Sequence, residues 1–395
     1  MTGKTEGKAG DKMKKYIGII ITVLMLFAQV APVQAMDLAP AATTAEVTGT
    51  SAVLLEVETG RLLYAKNADK QMPMASTTKV MTAILAIENG VLEDVVTISG
   101  NASGVEGSSL YLAIGQKVTL EQLLYGLMLQ SGNDSAVAIA EHIAGSVEEF
   151  AGMMNAKARE LGAENTNFMN PHGLPASGHH TTAADLAKIT AYAMQNETFE
   201  KIVSTKYHEL DLGEGQIRVI KNKNKVLWDY EGGIGVKTGY TKEAGRCLVS
   251  AAKRDNMTTV AVVLDCYDWF EQSMKLLDYG FETYRYYNVL EKGTFLQEIA
   301  IENGIQPTSD IFIEENVSIP LTQEEYNRLE YKVNITPGLK APVTAGTEVG
   351  TIEIWLDGNM IVAQTVQINE DIGELTYGYY LNKILNYWKR PAIGW

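Results

Sequence analysis

The stretch "MPMASTTKVMTAILAIENG", Met72 to Gly90, decides how this chain is read. Val80, Ala83, Ile84 and Ile87 recur at helical spacing and Asn89-Gly90 supplies a stop, so the segment is expected to be a helix with one buried face. Its first turn carries Ser76 and Lys79, three residues apart and therefore on one face of a helix. Helix starts favour serine for capping alone, so the pair matters only if other groups converge on it. Spacing by itself decides little, because Ser250 and Lys253 share it. Those two fall in a strand pattern, where they point to opposite faces and cannot cooperate.

A serine hydroxyl is a poor nucleophile at neutral pH and needs a nearby base. Lysine can be that base if its ammonium is made easier to deprotonate. Moving it from about 10.4 to near 7 costs about 4 to 5 kcal/mol, which burial and a second cation supply. Such a cation stands in "GGIGVKTGYT", where Lys237-Thr238-Gly239 ends an apparent strand and the glycine lets a ligand approach the backbone. Ser-Gly-Asn occurs twice. Ser99-Gly100-Asn101 lies in a polar, glycine-rich region and reads as a turn, whereas Ser131-Gly132-Asn133 lies between two apolar helices, where polar groups need partners. The second copy is taken as the functional one.

Outward from these motifs, "SAVLLEVETGRLLYAKN" reads as a hairpin about Glu58-Thr59-Gly60. A second helix starts at Thr119 with Gln122 in capping position and runs through "LEQLLYGLMLQ". A third, "DSAVAIAEHIAG", ends at Gly145, a fourth starts at Ser146, and another spans about Thr182 to Gln195. Strands follow from about Tyr207 to Cys266, then a helix from about Trp269 to Tyr287. Strands flanking a block of helices indicate an α+β fold, an antiparallel sheet packed with a helical cluster, over residues 36–288. Short polar strands with turns between them indicate a small all-β domain over 289–371.

The two ends have their own character. Lys4, Lys8, Lys12, Lys14 and Lys15, an apolar run from Tyr16 to Ala28, and "APVQA" read as a signal peptide, residues 1–35, with Val33 and Ala35 at the cleavage positions. Its removal takes the formal charge from −15 to −18, which excludes nucleic acid as a natural partner. In the tail, residues 372–395, Tyr377, Leu381, Ile384, Leu385 and Trp388 share one helical face, with Lys383, Lys389 and Arg390 elsewhere. That arrangement suits a helix lying on a membrane surface, or a terminal helix docked on its own protein. Cys247 and Cys266 lie on two strands around a turn near Asn256 and Met257. That register places them opposite each other, leaving a bridge and two free thiols both open.

Other chemistries find less support. His172, His179, His180 and Asp185 are the only set resembling zinc ligands, but there is no His-Glu-x-x-His. There is no Gly-x-Ser-x-Gly either, and no cofactor is called for.

Ser76-Thr77-Thr78-Lys79, Ser131-Gly132-Asn133 and Lys237-Thr238-Gly239, in that order, resemble the three motifs of penicillin-binding proteins and serine β-lactamases. The flanks "MASTTKVMTA", "SGNDSAVAIAEHIAGS", "NTNFMNPHGLP" and "GVKTGYTKEAGRCLVSAAKR" are similar to the low-molecular-mass D-alanyl-D-alanine carboxypeptidases, as is the small β-domain with its anchoring tail. The resemblance implies Ser76 as nucleophile, Lys79 as its general base and Ser131 as proton relay to the leaving group. Asn133 would hold Lys79 and the substrate amide, Lys237 would add positive potential, Thr238 would bind the terminal carboxylate, and the N–H groups of Ser76 and Tyr240 would form the oxyanion hole. It further implies a peptidoglycan pentapeptide stem as substrate, β-lactams as acylating inhibitors, and an exported enzyme peripheral on the outer face of the cytoplasmic membrane. The alternatives are a DD-endopeptidase or a β-lactamase of the same superfamily. Against the β-lactamase, Glu164 is followed four residues later by Phe168 instead of the asparagine of a Glu-x-x-x-Asn motif.

Overall fold

A computed structural model describes residues 46–388 apart from 214. The signal peptide expected over 1–35, and Lys389 and Arg390 of the tail, lie outside the described residues. The expected hairpin forms from β1 (Ser51–Glu56) and β2 (Leu62–Lys66). Three later strands join it: β7 (Gly233–Thr241), β8 (Gly245–Arg254) and β9 (Met257–Leu264), numbered after two small hairpins, β3 (Val95–Thr97) with β4 (Lys117–Thr119) and β5 (Tyr207–Asp211) with β6 (Ile217–Lys221). All pairings in the main sheet are antiparallel, its order is β2-β1-β9-β8-β7, and β7 is therefore an edge strand.

Helices cover one face of this sheet. Central among them is α1 (Lys79–Asn89), whose residues 79 to 86 are all buried. It is preceded by a single 3-10 turn, Ala75–Thr78, that carries Ser76. The helix expected from Thr119 splits into α2 (Leu120–Tyr125), capped by the Thr119 hydroxyl, and a π turn, Gly126–Gln130. After it come α3 (Asn133–Ala144), α4 (Val147–Glu160) and α5 (Ala183–Met194). A helix absent from the sequence reading, α6 (Glu197–Ser204), is capped by Asn196 and buries Phe199, Ile202 and Val203. The cap and the i, i+3, i+4 spacing were its available signals. One turn, α7 (Val226–Asp229), interrupts the strand region, and α8 (Trp269–Thr283) covers the other face of the sheet.

The β8–β9 register differs from the one expected. Arg254 pairs with Met257, leaving Asp255 and Asn256 as a two-residue turn with φ of 47° and 64°. A tight hairpin needs positive φ at both central positions, and Asp-Asn adopts it where Met257 would not. Cys247 consequently packs with Val249 and Val262 on the α1 side, and Cys266 with Leu248 and Leu276 on the α8 side. Both are free, buried thiols.

Past α8 the chain turns directly into β10 (Arg285–Leu290), where the sequence had suggested more helix. It pairs with β13 (Val317–Leu321), while β11 (Phe295–Glu302) pairs with β12 (Thr308–Phe312). After a short helix, α9 (Gln323–Tyr326), come β14 (Glu330–Ile335), β15 (Gly338–Lys340), β16 (Glu348–Leu356) and β17 (Asn359–Gln367). These strands enclose a second core, from Val289 to Ile372, that shares no residue with the first.

The β1–β2 turn meets this β-structure through a buried charge. Arg61 is fully buried; its Nη1 donates to Pro320 O, its Nη2 pairs with Glu325, and its guanidinium lies 5.1 Å from the Tyr284 ring centroid. Glu56, buried in the same turn, accepts the Tyr286 hydroxyl at 2.7 Å. Removing one partner of such a pair strands the other without solvent. Arg61→Ala should therefore cost about 3 to 5 kcal/mol, while Arg61→Met combined with Glu325→Leu should recover most of it. Calorimetric unfolding of the two variants checks both outcomes.

Candidate active site

Ser76 and Lys79 lie where the 3-10 turn becomes α1, and the turn brings the lysine Nζ to 3.1 Å from Ser76 Oγ. Two further acceptors hold that nitrogen: Asn133 Oδ1 at 2.7 Å and the backbone oxygen of His172 at 2.6 Å. Neither of these oxygens can donate. A neutral amine has two N–H groups to give them, and its lone pair is then left for the Ser76 hydroxyl proton. Lys79 has no exposure, and its pKa lies well below the usual lysine value, first because of burial and then because of the nearby Lys237 charge.

Each oxygen is itself positioned. Asn133 begins α3, and its Nδ2 donates to Glu106 O, which fixes the amide with its oxygen on Lys79. The 105–112 loop that supplies Glu106 is gathered by the buried Asp134 carboxylate, which accepts the Ser109 hydroxyl at 2.6 Å and the Leu110 and Leu112 N–H groups at 2.8 and 3.2 Å. His172 O comes from a loop folded on Asn170, whose Oδ1 accepts the Gly173 N–H at 2.7 Å and whose Nδ2 donates to Leu174 O at 2.9 Å. A Cβ on Gly173 would stand 1.9 Å from Ala75 O, so only glycine lets this loop close over the turn that carries Ser76.

Ser131 ends the π turn in a left-handed conformation, φ 65° and ψ 33°, and is 6% exposed. Both its N–H and that of Gly132 bond to Gly126 O, a crossing the wider π turn permits. On the opposite wall β7 contributes Lys237, whose Nζ donates to Thr238 O at 2.9 Å. Burial, and then the charge of Lys223, lower the Lys237 pKa to about 7. Lys223 was not anticipated: it stands in "NKNK", where spacing gave no signal, yet its Nζ donates to Gln130 O at 3.0 Å and its charge reaches both other lysines. Gly239 faces Ser76, since a Cβ there would lie 2.9 Å from Ser76 N and 3.0 Å from Thr77 N. The absent side chain leaves the space beside Ser76 N clear, while the Thr77 N–H bonds to Met74 O at 3.2 Å. Tyr240, the next residue, is 63% exposed.

The remaining polar residues have structural partners. His179 accepts the Met169 N–H on Nδ1 at 3.0 Å, so its Nε2, 2.8 Å from Thr78 Oγ1, carries the proton. Thr78 Oγ1 donates in turn to Ala75 O at 2.9 Å, and the imidazole thus props the turn that carries Ser76. Burial lowers His179 to about 4 and His172 to about 3, which keeps both neutral. Asp185 accepts the Asn165 N–H and the Thr166 hydroxyl, both at 2.8 Å. Ser250 is bonded to Ser273 and Lys253 is exposed, as the strand pattern required. Ser99 closes its own turn by accepting the Ala102 N–H at 3.0 Å.

A serine hydroxyl on a buried lysine, at the base of a helical block and beside the free edge of an antiparallel sheet, defines the class of serine acyl-transfer enzymes that penicillin acylates. Within that class the comparisons are specific. A model of the D-alanyl-D-alanine carboxypeptidase family matches residues 38–267, and a model of the penicillin-binding protein 5 C-terminal domain matches 284–374. The chain is 34% identical over 350 residues to the D-alanyl-D-alanine carboxypeptidase DacF of Bacillus subtilis (strain 168), covering 86% of this chain and 90% of that one. The crystal structure of penicillin-binding protein 5 from Haemophilus influenzae superimposes with a TM-score of 0.72 at 30% identity, over 84% of this chain and all of that one. A mutant of the Streptomyces K15 DD-transpeptidase aligns at 36% identity with a TM-score of 0.57, over 60% of this chain and 99% of its own. The chain belongs to the D-alanyl-D-alanine carboxypeptidase family.

The two lysines set opposite limbs of a pH profile. As the proposed base, Lys79 must be neutral to accept a proton, so acylation should be lost as pH falls through its lowered pKa. As the proposed anion contact, Lys237 attracts a carboxylate only when protonated, so that contribution should be complete well below pH 7 and lost as pH rises through about 7. The kcat/KM for a substrate with a terminal carboxylate should be bell-shaped, and Lys237→Gln should remove the alkaline limb and lower the plateau about tenfold or more. Steady-state kinetics from pH 5 to 10 measure both.

Proposed function

We propose that this chain is a serine D-alanyl-D-alanine carboxypeptidase that removes the terminal D-alanine of peptidoglycan pentapeptide stems. The observation that carries the reading is the Lys79 amine, buried with two of its directions committed to oxygens that only accept and the third aimed at Ser76 Oγ.

In this reading the stem lies along the free edge of β7, adding a strand to the sheet. Its terminal carboxylate rests at Thr238 and Lys237, and its reacting carbonyl oxygen sits between the N–H groups of Ser76 and Tyr240, in the space Gly239 leaves. Ser76 Oγ attacks the carbonyl carbon while its proton passes to Lys79 Nζ. The carbon–nitrogen bond breaks, and the proton reaches the departing D-alanine amine by way of Ser131. Asn133 holds Lys79 in place and offers its amide to the stem. Water then attacks the acyl ester, the proton path runs in reverse, and Ser76 is restored. β-Lactams enter the same sequence and stop at the acyl ester. Against a β-lactamase of the Glu-x-x-x-Asn type stands the Glu164 region, where Phe168 is buried in the core and Glu164 is exposed.

Ser76→Ala should abolish labelling by penicillin and D-alanine release together, and a variant that still labels would exclude Ser76 as nucleophile. Mass spectrometry of a disaccharide-pentapeptide digest should show loss of one alanine. A cleaved cross-link with intact pentapeptide would instead indicate an endopeptidase.

The tail supports a peripheral location on the outer face of the membrane after export. Helix α10 (Tyr377–Trp388) buries none of its residues, and Leu381, Ile384 and Trp388 are 49%, 52% and 79% exposed. Among the described residues no helix is long and apolar enough to cross a membrane. Ile372 still belongs to the second core and Leu375 N donates to Asn303 O at 2.7 Å, so the segment free to dock begins after Leu375. Truncation there should release the protein from lipid vesicles in a flotation assay and leave D-alanine release unchanged.

A further inference from the structure

Asp134, the residue after Ser131-Gly132-Asn133, is fully buried and takes no part in the steps described above. Among the described residues it forms no ion pair. Its Oδ2 instead accepts three donors from one loop: the Ser109 hydroxyl at 2.6 Å and the N–H groups of Leu110 and Leu112 at 2.8 and 3.2 Å. Its Oδ1 accepts the Ser135 N–H at 2.9 Å, inside its own helix. A Cβ on Gly132 would stand 2.9 Å from that Oδ1 and 3.3 Å from Leu110 Cγ. Gly132 has φ of −56°, which any residue adopts, so the demand on it is one of space: the glycine between Ser131 and Asn133 makes room for the carboxylate and the loop it holds.

That loop is the one that sets Asn133. Ser108 O accepts the Asn133 N–H at 2.7 Å, and Glu106 O accepts its Nδ2. Between them Gly107, with φ of 94°, lies against the amide, since a Cβ there would stand 2.8 Å from Nδ2. With both nitrogens of Asn133 tied, its Oδ1 faces Lys79 Nζ at 2.7 Å. The charges around this junction are mostly positive. Lys237 on β7 and Lys223 before α7 both act on Lys79, and Arg218 of β6 donates to Leu110 O at 3.1 Å. His172 and His179 are held neutral by burial, and Glu106 is exposed. Asp134 is the buried carboxylate that opposes the two lysines at Lys79.

We infer that Asp134 is a positioning residue for acylation, which holds the 105–112 loop against the start of α3 so that Asn133 keeps its amide oxygen on Lys79. The inference rests on the reading of the chain as a D-alanyl-D-alanine carboxypeptidase, because acylation of Ser76 is the step it serves. The carboxylate has a second effect through space. Its charge favours the Lys79 ammonium against Lys237 and Lys223, so the amine stays a strong enough base for the Ser76 proton.

The test compares the full chain with Asp134→Ala and Asp134→Asn, following acylation by labelled penicillin and D-alanine release from pH 5 to 10. Asp134→Ala frees the loop and should acylate about a hundredfold more slowly on the plateau. In Asp134→Asn an amide oxygen in the place of Oδ2 still accepts all three loop donors, so the plateau should stay within about tenfold of the parent. Its acid limb should move to lower pH: without the carboxylate the ammonium is less favoured, and Lys79 stays neutral further down. An Asp134→Ala plateau equal to the parent's, or an Asp134→Asn acid limb that does not move, overturns the inference, since either is what a role in stability alone would give. Where the alanine variant does not fold, Asp134→Asn decides. If the parent neither takes penicillin nor releases D-alanine, the activity reading fails on its own, and NMR titration of the Lys79 side chain decides the inference. The midpoint should then fall in Asp134→Asn, and an unmoved midpoint overturns it.

Discussion

Taking the Lys79 amine out of water costs solvation that two neutral oxygens and one hydroxyl replace only in part. Its charged form is therefore the disfavoured one in the folded protein. Much of the surrounding structure follows from keeping that nitrogen buried yet partnered. Helix α1 lies at the centre of the helical block, so that the lysine on its first turn meets a side chain from α3, a backbone oxygen from a loop and the Lys237 charge of the sheet edge at once. Placed on a peripheral helix, the same Ser-x-x-Lys would hold a solvated, protonated lysine.

The oxygens that hold Lys79 depend on a second layer whose members carry no motif. Asp134 ties the loop bearing Glu106 to the start of α3, and Glu106 O in turn orients Asn133. Asn170 shapes the loop that offers His172 O, and Gly173 lets that loop close over Ala75. His179, which the sequence offered only as a metal-ligand candidate, instead braces Thr78 beneath the nucleophile. These groups act by fixing backbone carbonyls, and a carbonyl has no residue identity for a sequence pattern to display.

Where the sequence was legible, local rules were enough. Thr119, Ser146 and Thr182 cap the helices they were expected to start, Gly145 ends the one it was expected to end, and the Glu58-Thr59-Gly60 turn joins the expected strands. Departures came where two local rules competed. The apolar run after Thr119 satisfies any helix, and its widening to a π turn at Gly126, against which the Leu110 side chain packs, has no signal in the spacing. The β8–β9 turn moved because the tight turn's need for positive φ, which Asp255 and Asn256 meet, outweighed the strand pattern that had centred it later.

The sequence by itself determined that Ser76 and Lys79 stand side by side and singled out the distant motifs, because a helical face fixes which side chains can meet three residues apart and this pair needs nothing more to be neighbours. Tertiary structure decided what that pair can do. The lowered pKa of Lys79, the influence of Lys223 and the opening that Gly239 leaves beside Ser76 arise from segments far apart in the chain. Desolvation and charge–charge interaction depend on distance in space, which no spacing along the chain encodes.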